Sequence, residues 1–107
     1  MRRKTAKLTL IAASALVLCA CGVDGKIGDY GDTTVYSEPK PNSNGGVSND
    51  PVGTLTTLSK VTVSCYTKVN GFGFYKISYS GGSGYIDDST SIMSDDGEVR
   101  PAKVPKC

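Results

Sequence analysis

The cysteines of this 107-residue chain are its most distinctive chemical groups, and they stand at positions 19, 21, 65 and 107. Cys19 and Cys21 are separated by one residue in "LVLCACG" (16–22), at the end of an apolar run. In a folded domain a C-x-C pair is compatible with a metal site or a redox couple. Near an N-terminus it can instead belong to a targeting sequence, so the flanking elements must decide.

The first twenty residues have the layout of a secretory signal peptide. Residues 1–7, "MRRKTAK", carry four positive charges and no acidic residue, and residues 8–18, "LTLIAASALVL", are almost entirely apolar. A helix of this apolar length rises only about 16 Å, roughly half the hydrocarbon thickness of a bilayer, which predicts no stable membrane span. We therefore expect residues 1–20 to be removed from the mature protein.

The residues Leu18-Cys19-Ala20-Cys21 resemble the lipobox of bacterial lipoproteins. The resemblance implies cleavage between Ala20 and Cys21, with a diacylglycerol attached to the Cys21 thiol. It further implies that the protein is anchored by lipid to the cell membrane or the outer membrane, with its domain outside the cytoplasm. Cys19 would be lost with the signal peptide, which excludes C-x-C chemistry. The alternative is an ordinary secreted protein in which Cys21 is the first cysteine of the mature chain.

The net charge changes sign when the signal peptide is removed. The full chain has twelve basic and ten acidic residues, a net +2. Without the four basic residues of the signal peptide (Arg2, Arg3, Lys4 and Lys7), eight basic and ten acidic residues remain, a net −2. The basicity is a targeting feature, and the composition predicts no nucleic-acid partner.

Catalytic side chains are scarce. The chain has no histidine, which excludes Ser-His-Asp and Cys-His nucleophile–base pairs and histidine-containing metal sites. Catalysis by carboxylates alone would have to use Asp87-Asp88 or Asp95-Asp96, but adjacent acids on a strand point to opposite faces, and acids in polar loops are solvated. We expect a protein without enzymatic activity, metal or cofactor.

The mature sequence predicts an all-β domain. Residues 21–32 are rich in Gly and Asp and predict a flexible tether after the lipidated cysteine. No window shows helical spacing, and turn residues recur every few positions, with "NG" at 70–71 and "GGSG" at 81–84 favouring hairpins. The predicted strands are 33–37, 52–58, 60–67, 72–79 and 84–89, and residues 39–50 predict a long polar loop. Residues 94–107 form a polar tail that either is loose or folds back on the domain.

Alternation within these strands predicts the core. Val61, Val63 and Cys65 share one face, and Tyr75, Ile77 and Tyr79 share another. The rest of the predicted core comprises Val35, Leu55, Ile86 and Ile92.

The ordered part resembles the bacterial SH3 (SH3b) domain family. The resemblance rests on "VYSEP" (35–39), "VGTL" (52–55), "KVTVSCY" (60–66), "GFYKIS" (73–78) and "GYIDDS" (84–89) in this order. It departs from the family pattern in having Phe74 where a tryptophan is usual, and the chain contains no tryptophan. The resemblance implies a small SH3-like barrel of about five short strands over residues 33–93.

Two sets of side chains remain as candidate sites. Cys65 and Cys107 are the even pair left after lipidation and favour a disulfide outside the cytoplasm; the alternative is a buried free Cys65 and a terminal free thiol on Cys107. Alternation places four aromatic residues on the outward phase of their strands, where they bind a ligand, cover the second face of the domain or pack under the long loop: Tyr36, Tyr66, Phe74 and Tyr85.

SH3-like barrels bind extended peptides in aromatic-lined grooves, and the resemblance implies a peptidoglycan peptide or another envelope component as ligand. The sequence thus predicts a lipid-anchored envelope protein with a noncatalytic binding module. One alternative is a module for a protein partner, either an accessory subunit or an inhibitor lipoprotein. Another is a purely structural envelope protein.

Overall fold

A computed structural model of the protein describes residues 22–41 and 51–107, and these residues form an all-β domain. The signal peptide, Ala20, Cys21 and the loop segment 42–50 lie outside the described residues. The eight strands are β1 (Val23–Ile27), β2 (Thr33–Tyr36), β3 (Pro51–Leu55), β4 (Lys60–Val69), β5 (Phe72–Tyr79), β6 (Gly82–Asp87), β7 (Ile92–Ser94) and β8 (Gly97–Glu98). A short 3₁₀ helix follows at Pro101–Lys103.

The strands form one antiparallel sheet in the order β3-β2-β6-β5-β4-β1-β7-β8. The sheet is not closed, since β3 and β8 are its two ends, and it has eight strands where about five were expected. It nevertheless curves around a single core, because Leu55 of terminal strand β3 and Val99, just after terminal strand β8, belong to the same buried cluster. The prediction of a small β domain is confirmed.

The central hairpins agree with the expected strands. β5 occupies residues 72–79, as alternation predicted, and pairs with β4 from Val69↔Phe72 to Thr62↔Ser78. The connecting residues Asn70 and Gly71 both have positive φ, of 52° and 84°. This combination defines the type I′ turn that Asn-Gly favours and that matches the twist of the flanking strands.

The predicted tether is wrong for residues 23–27, which form strand β1 in the middle of the sheet. β1 pairs with β4 through Val23↔Val63 to Lys26↔Lys60 and with β7 through Ile27↔Ile92. The Ile27 side chain is fully buried. Burial of this one residue and hydrogen bonds on both edges of the strand offset its glycine content.

A β-bulge in β4 corrects the predicted face of Cys65. Val63 lies opposite Ile77, but the next paired residue, Cys65, lies opposite the exposed Lys76. The extra residue, Ser64, moves the alternation by one position. Cys65 is therefore out of phase with Val61 and Val63, and Tyr66 instead lies opposite the buried Tyr75.

The core contains most of the predicted residues and three others. Val35, Leu55, Val61, Val63, Tyr75, Ile77, Ile86 and Ile92 are buried in one cluster, against which Tyr79 packs. Ile27, Val99 and Val104 join them. The last two belong to the C-terminal tail, which folds back on the domain.

The C-terminal segment, residues 101–107, lies along β4 beyond the bulge. The Tyr66 backbone N–H donates to Pro105 O (2.9 Å), and the Cys107 N–H donates to Tyr66 O (2.9 Å). A disulfide joins Cys65 to Cys107, with 4.9 Å between their Cα atoms. Over the described ranges 22–41 and 51–107, no helix is long and apolar enough to cross a membrane.

Candidate functional site

The predicted aromatic residues do not form one groove. Tyr36 and Tyr85 are directly opposite each other on β2 and β6, and both are half-buried. The prediction that Phe74 is available to a ligand is wrong, because the side chain is only 1% exposed. Alternation placed Phe74 on the face opposite to Tyr75 and Ile77, but alternation alone does not reveal that this position is covered.

Tyr66 is also placed differently from its prediction. The bulge turns it toward the core, where its ring packs against Tyr75 with centroids 5.5 Å apart. Its hydroxyl donates to Asp88 Oδ2 (2.9 Å). Both groups lie over Gly73, where an added Cβ would collide with the Tyr66 hydroxyl and the Asp88 carboxylate.

This tyrosine pair is poorly suited to act as a base or nucleophile. Desolvation, and then the hydrogen bond and negative charge of Asp88, raise the pKa of Tyr66 above its usual 10. Desolvation, followed by the charge of Asp88, raises the pKa of Tyr75 to about 12. Both phenols are protonated at neutral pH, where the Tyr66 hydroxyl donates to Asp88 and the Tyr75 side chain fills space in the core.

A groove of mixed charge crosses the sheet from β5 to β7 and has a volume of about 600 Å³. We call it the charged groove. Its lining includes Lys26 and Lys60, which are Cα partners on β1 and β4, together with Asp24, Thr62, Met93 and Asp95. Thr62 Oγ1 donates to Asp24 Oδ1 (2.6 Å), which orients that carboxylate. The groove therefore has the charges to bind a ligand that carries both an anionic and a cationic group.

The sequence contained a signal for the charged groove that was missed. In "VDGKI" (23–27), Asp24 and Lys26 are two residues apart, which is the spacing of side chains on one face of a strand. The three glycines at 22, 25 and 28 favoured a tether and concealed this alternation. Asp95 was considered only as a possible catalytic carboxylate.

A second groove, of about 680 Å³, lies beside the C-terminal segment. We call it the C-terminal groove. It is lined by Tyr66, Thr67, Lys68, Pro101, Ala102, Val104, Lys106 and Cys107. Two lysines thus border an otherwise largely uncharged surface, and the disulfide lies at its edge.

Within residues 22–41 and 51–107, no group of three or more cysteine or acidic side chains is arranged to hold a metal ion. No protein-family model, curated protein or solved structure matches the chain.

Proposed function

We propose that this protein is a bacterial envelope lipoprotein, anchored through Cys21, whose SH3b-like domain binds a peptidoglycan peptide without catalysis. The anchor rests on the lipobox-like residues 18–21 after a basic and apolar leader. The SH3b assignment rests on the five sequence elements, which coincide with β2 to β6 and the turns between them. The curved antiparallel sheet is compatible with an SH3-like barrel extended by β1, β7 and β8.

The charged groove is the main support for a peptidoglycan peptide as the ligand. Peptidoglycan peptides present carboxylates and, where a diamino acid is free, an amino group. Lys26 and Lys60 can pair with the carboxylate, while Asp24 and Asp95 can pair with the amino group. A groove with both charges on one open face suits an extended zwitterionic peptide better than it suits a uniformly charged polymer.

Co-sedimentation of the processed protein, in mild detergent, with purified sacculi tests the ligand assignment. We expect Lys26→Gln/Lys60→Gln to weaken binding at least tenfold, because each charge-assisted hydrogen bond contributes about 1.5–3 kcal/mol. The matched control is Lys40→Gln/Lys76→Gln, which removes the same charge outside the groove. Wild-type protein that stays in the supernatant at every salt concentration excludes wall binding. That result leaves the two alternatives, a partner-protein module and a purely structural envelope protein.

Metabolic labelling with a fatty acid tests the anchor separately. The wild-type chain is expected to incorporate label and to migrate as the processed form. Cys21→Ala is expected to lose both the label and the processing, because the thiol is the attachment point. Cys19→Ala serves as the control and should behave as wild type, and label retained on Cys21→Ala would contradict the lipobox assignment.

A further inference from the structure

One edge of the domain combines the entry of the anchored N-terminus with a cluster of lysines. We define the basic edge as residues 64–72 of β4, its turn and the first residue of β5, together with residues 101–107. These two ranges contain Lys68, Lys103 and Lys106, all of them exposed, and no acidic residue. Lys68 and Lys106 line the C-terminal groove.

The N-terminus of the mature domain enters next to this edge. Val23 lies opposite Val63, and a Cβ added to Gly22 would collide with the Val63 carbonyl oxygen. Cys21 directly precedes Gly22 in the sequence. The proposed attachment point is therefore one residue before Gly22, which lies beside Val63, three positions along β4 from Tyr66.

Charge is distributed unevenly between the basic edge and the rest of the mature chain. Of eight basic residues, three are in the basic edge, whereas all ten acidic residues lie elsewhere. The remainder of the mature chain thus carries a net −5. Among the described residues, Lys68, Lys103 and Lys106 have no ion-pair partner, while Arg100 pairs with Glu98 (3.4 Å). Asp88, which lies outside the basic edge, accepts a hydrogen bond from the Tyr66 hydroxyl.

The basic edge also exposes an apolar ring. Phe72, at the tip of the β4–β5 hairpin, is 42% exposed and lies opposite the half-buried Val69. Phe72 and Lys68 belong to successive pairs of the hairpin and so point to opposite faces of its tip. A hairpin tip with an apolar side chain on one face and a lysine on the other can contact both acyl chains and headgroups. Anionic lipids attract each nearby lysine, and the attraction decays within about 10 Å at 0.1 M salt.

We propose that the basic edge rests on the anionic headgroups of the membrane that holds the lipid anchor, with Phe72 inserted at the interface. This inference depends on the proposed lipidation of Cys21. The acidic remainder of the domain is repelled by the same surface, which fixes one orientation. The charged groove, which crosses β5, β4, β1 and β7, has none of the three lysines of the basic edge in its lining.

A single tryptophan reports this orientation, because the chain has none of its own. The processed, lipidated protein carrying Phe72→Trp is reconstituted into vesicles of phosphatidylcholine with phosphatidylglycerol, and brominated lipids serve as quencher. We expect a blue-shifted emission of which most is lost to quenching. Tyr30→Trp is the matched control, since Tyr30 is 95% exposed beyond the opposite end of β1, and its emission should be unaffected.

Charge substitutions test the electrostatic part. In the Phe72→Trp background, Lys68→Gln/Lys106→Gln should reduce quenching at least twofold in anionic vesicles, and 0.5 M salt should do the same. Lys40→Gln/Lys76→Gln should not change it. Phosphatidylcholine vesicles without anionic lipid should give weak quenching for every variant.

Failure of the inference differs from failure of the anchor. If the protein does not float with vesicles and carries no acyl chain, the proposed lipidation is wrong. If it floats but the Phe72→Trp emission is unquenched, or if Tyr30→Trp is quenched equally, the proposed orientation is overturned while the anchor stands.

Discussion

Two different segments cover one edge of strand β4: β1 pairs with its first part, and residues 101–107 lie along its second part. We call these the N-terminal and the C-terminal closure. From Lys60 to Val63, β4 pairs with β1 in a four-residue antiparallel ladder. Beyond the bulge, Tyr66 makes two backbone hydrogen bonds with the C-terminal segment, and Cys65 is bonded covalently to Cys107. The N-terminal closure is thus a ladder that ends at the buried Ile27, whereas the C-terminal closure is one bridge, the buried Val104 and a disulfide.

The difference follows from residue composition. Pro101 and Pro105 lack the N–H group that a ladder needs, so the C-terminal segment cannot continue as a regular strand. A covalent bond holds it where hydrogen bonds are few. β1 contains no proline and buries Ile27, so a ladder with packing is sufficient there.

The largest effect should come from breaking the covalent closure. Cys65→Ser/Cys107→Ser should lower the free energy of unfolding by about 4 kcal/mol, because the disulfide spans 42 residues and restricts the unfolded chain. Urea denaturation of oxidised wild type and of the variant measures it. Hydrogen exchange should show Tyr66 and Cys107 losing protection while Ile27 keeps it, and an unchanged urea midpoint would contradict the prediction.

The part of the fold predicted from sequence was the part that local signals specify. Strict alternation in "FGFYKISY" and the Asn70-Gly71 turn located β5 and its hairpin with β4. Both signals act within a few residues and need no knowledge of the rest of the chain. The bulge at Ser64 has no such signal, and it reversed the predicted faces of Cys65 and Tyr66.

The sequence did not predict β1 because this strand is stabilised by contacts with distant parts of the chain, which local sequence patterns do not show. Gly25 favours a loop by propensity, yet a Cβ at this position would lie 2.8 Å from Ile92 Cγ2 and 2.9 Å from the Met93 carbonyl oxygen. The glycine permits the close approach of β1 and β7. The charged groove depends on the same strand, so missing β1 meant missing the groove.

The second largest effect is expected from Ile27→Ala, which should destabilise the N-terminal closure. Ile27 is fully buried, and its backbone N–H donates to Ser59 O while its carbonyl accepts from the Leu58 N–H (2.7 Å). Removal of the buried side chain should cost about 3 kcal/mol of unfolding free energy. Urea denaturation of the disulfide-intact protein measures this loss.

The control for Ile27→Ala is Tyr30→Ala, three residues further along the chain and 95% exposed. It should change stability by less than about 0.5 kcal/mol. If the two variants have the same free energy of unfolding, β1 does not contribute to the stability of the core, and the prediction is wrong.

The smallest expected effect concerns the C-terminal closure and its dependence on pH, because a fully buried tyrosine lies beside it. Tyr75 is 1% exposed and packs against Tyr66, which the C-terminal segment contacts. Its raised pKa, about 12, means that the folded state holds the phenol proton more tightly than the unfolded state does. Its contribution is therefore complete below pH 10 and is lost as the pH rises from 10 through 12.

By pH 12 the titration of Tyr75 should have lowered the free energy of unfolding by about 2 kcal/mol. Comparing urea midpoints at pH 9 and pH 11.5 measures the decline, with Tyr30→Phe as an exposed control that should follow wild type. Tyr75→Phe should flatten the decline, because phenylalanine fills the same space without a proton to lose. Hydrogen exchange should detect loosening at Tyr66 and Cys107 before Ile27, since Tyr75 adjoins the C-terminal closure. A Tyr75→Phe variant that loses stability as steeply as wild type would assign the alkaline transition to other groups.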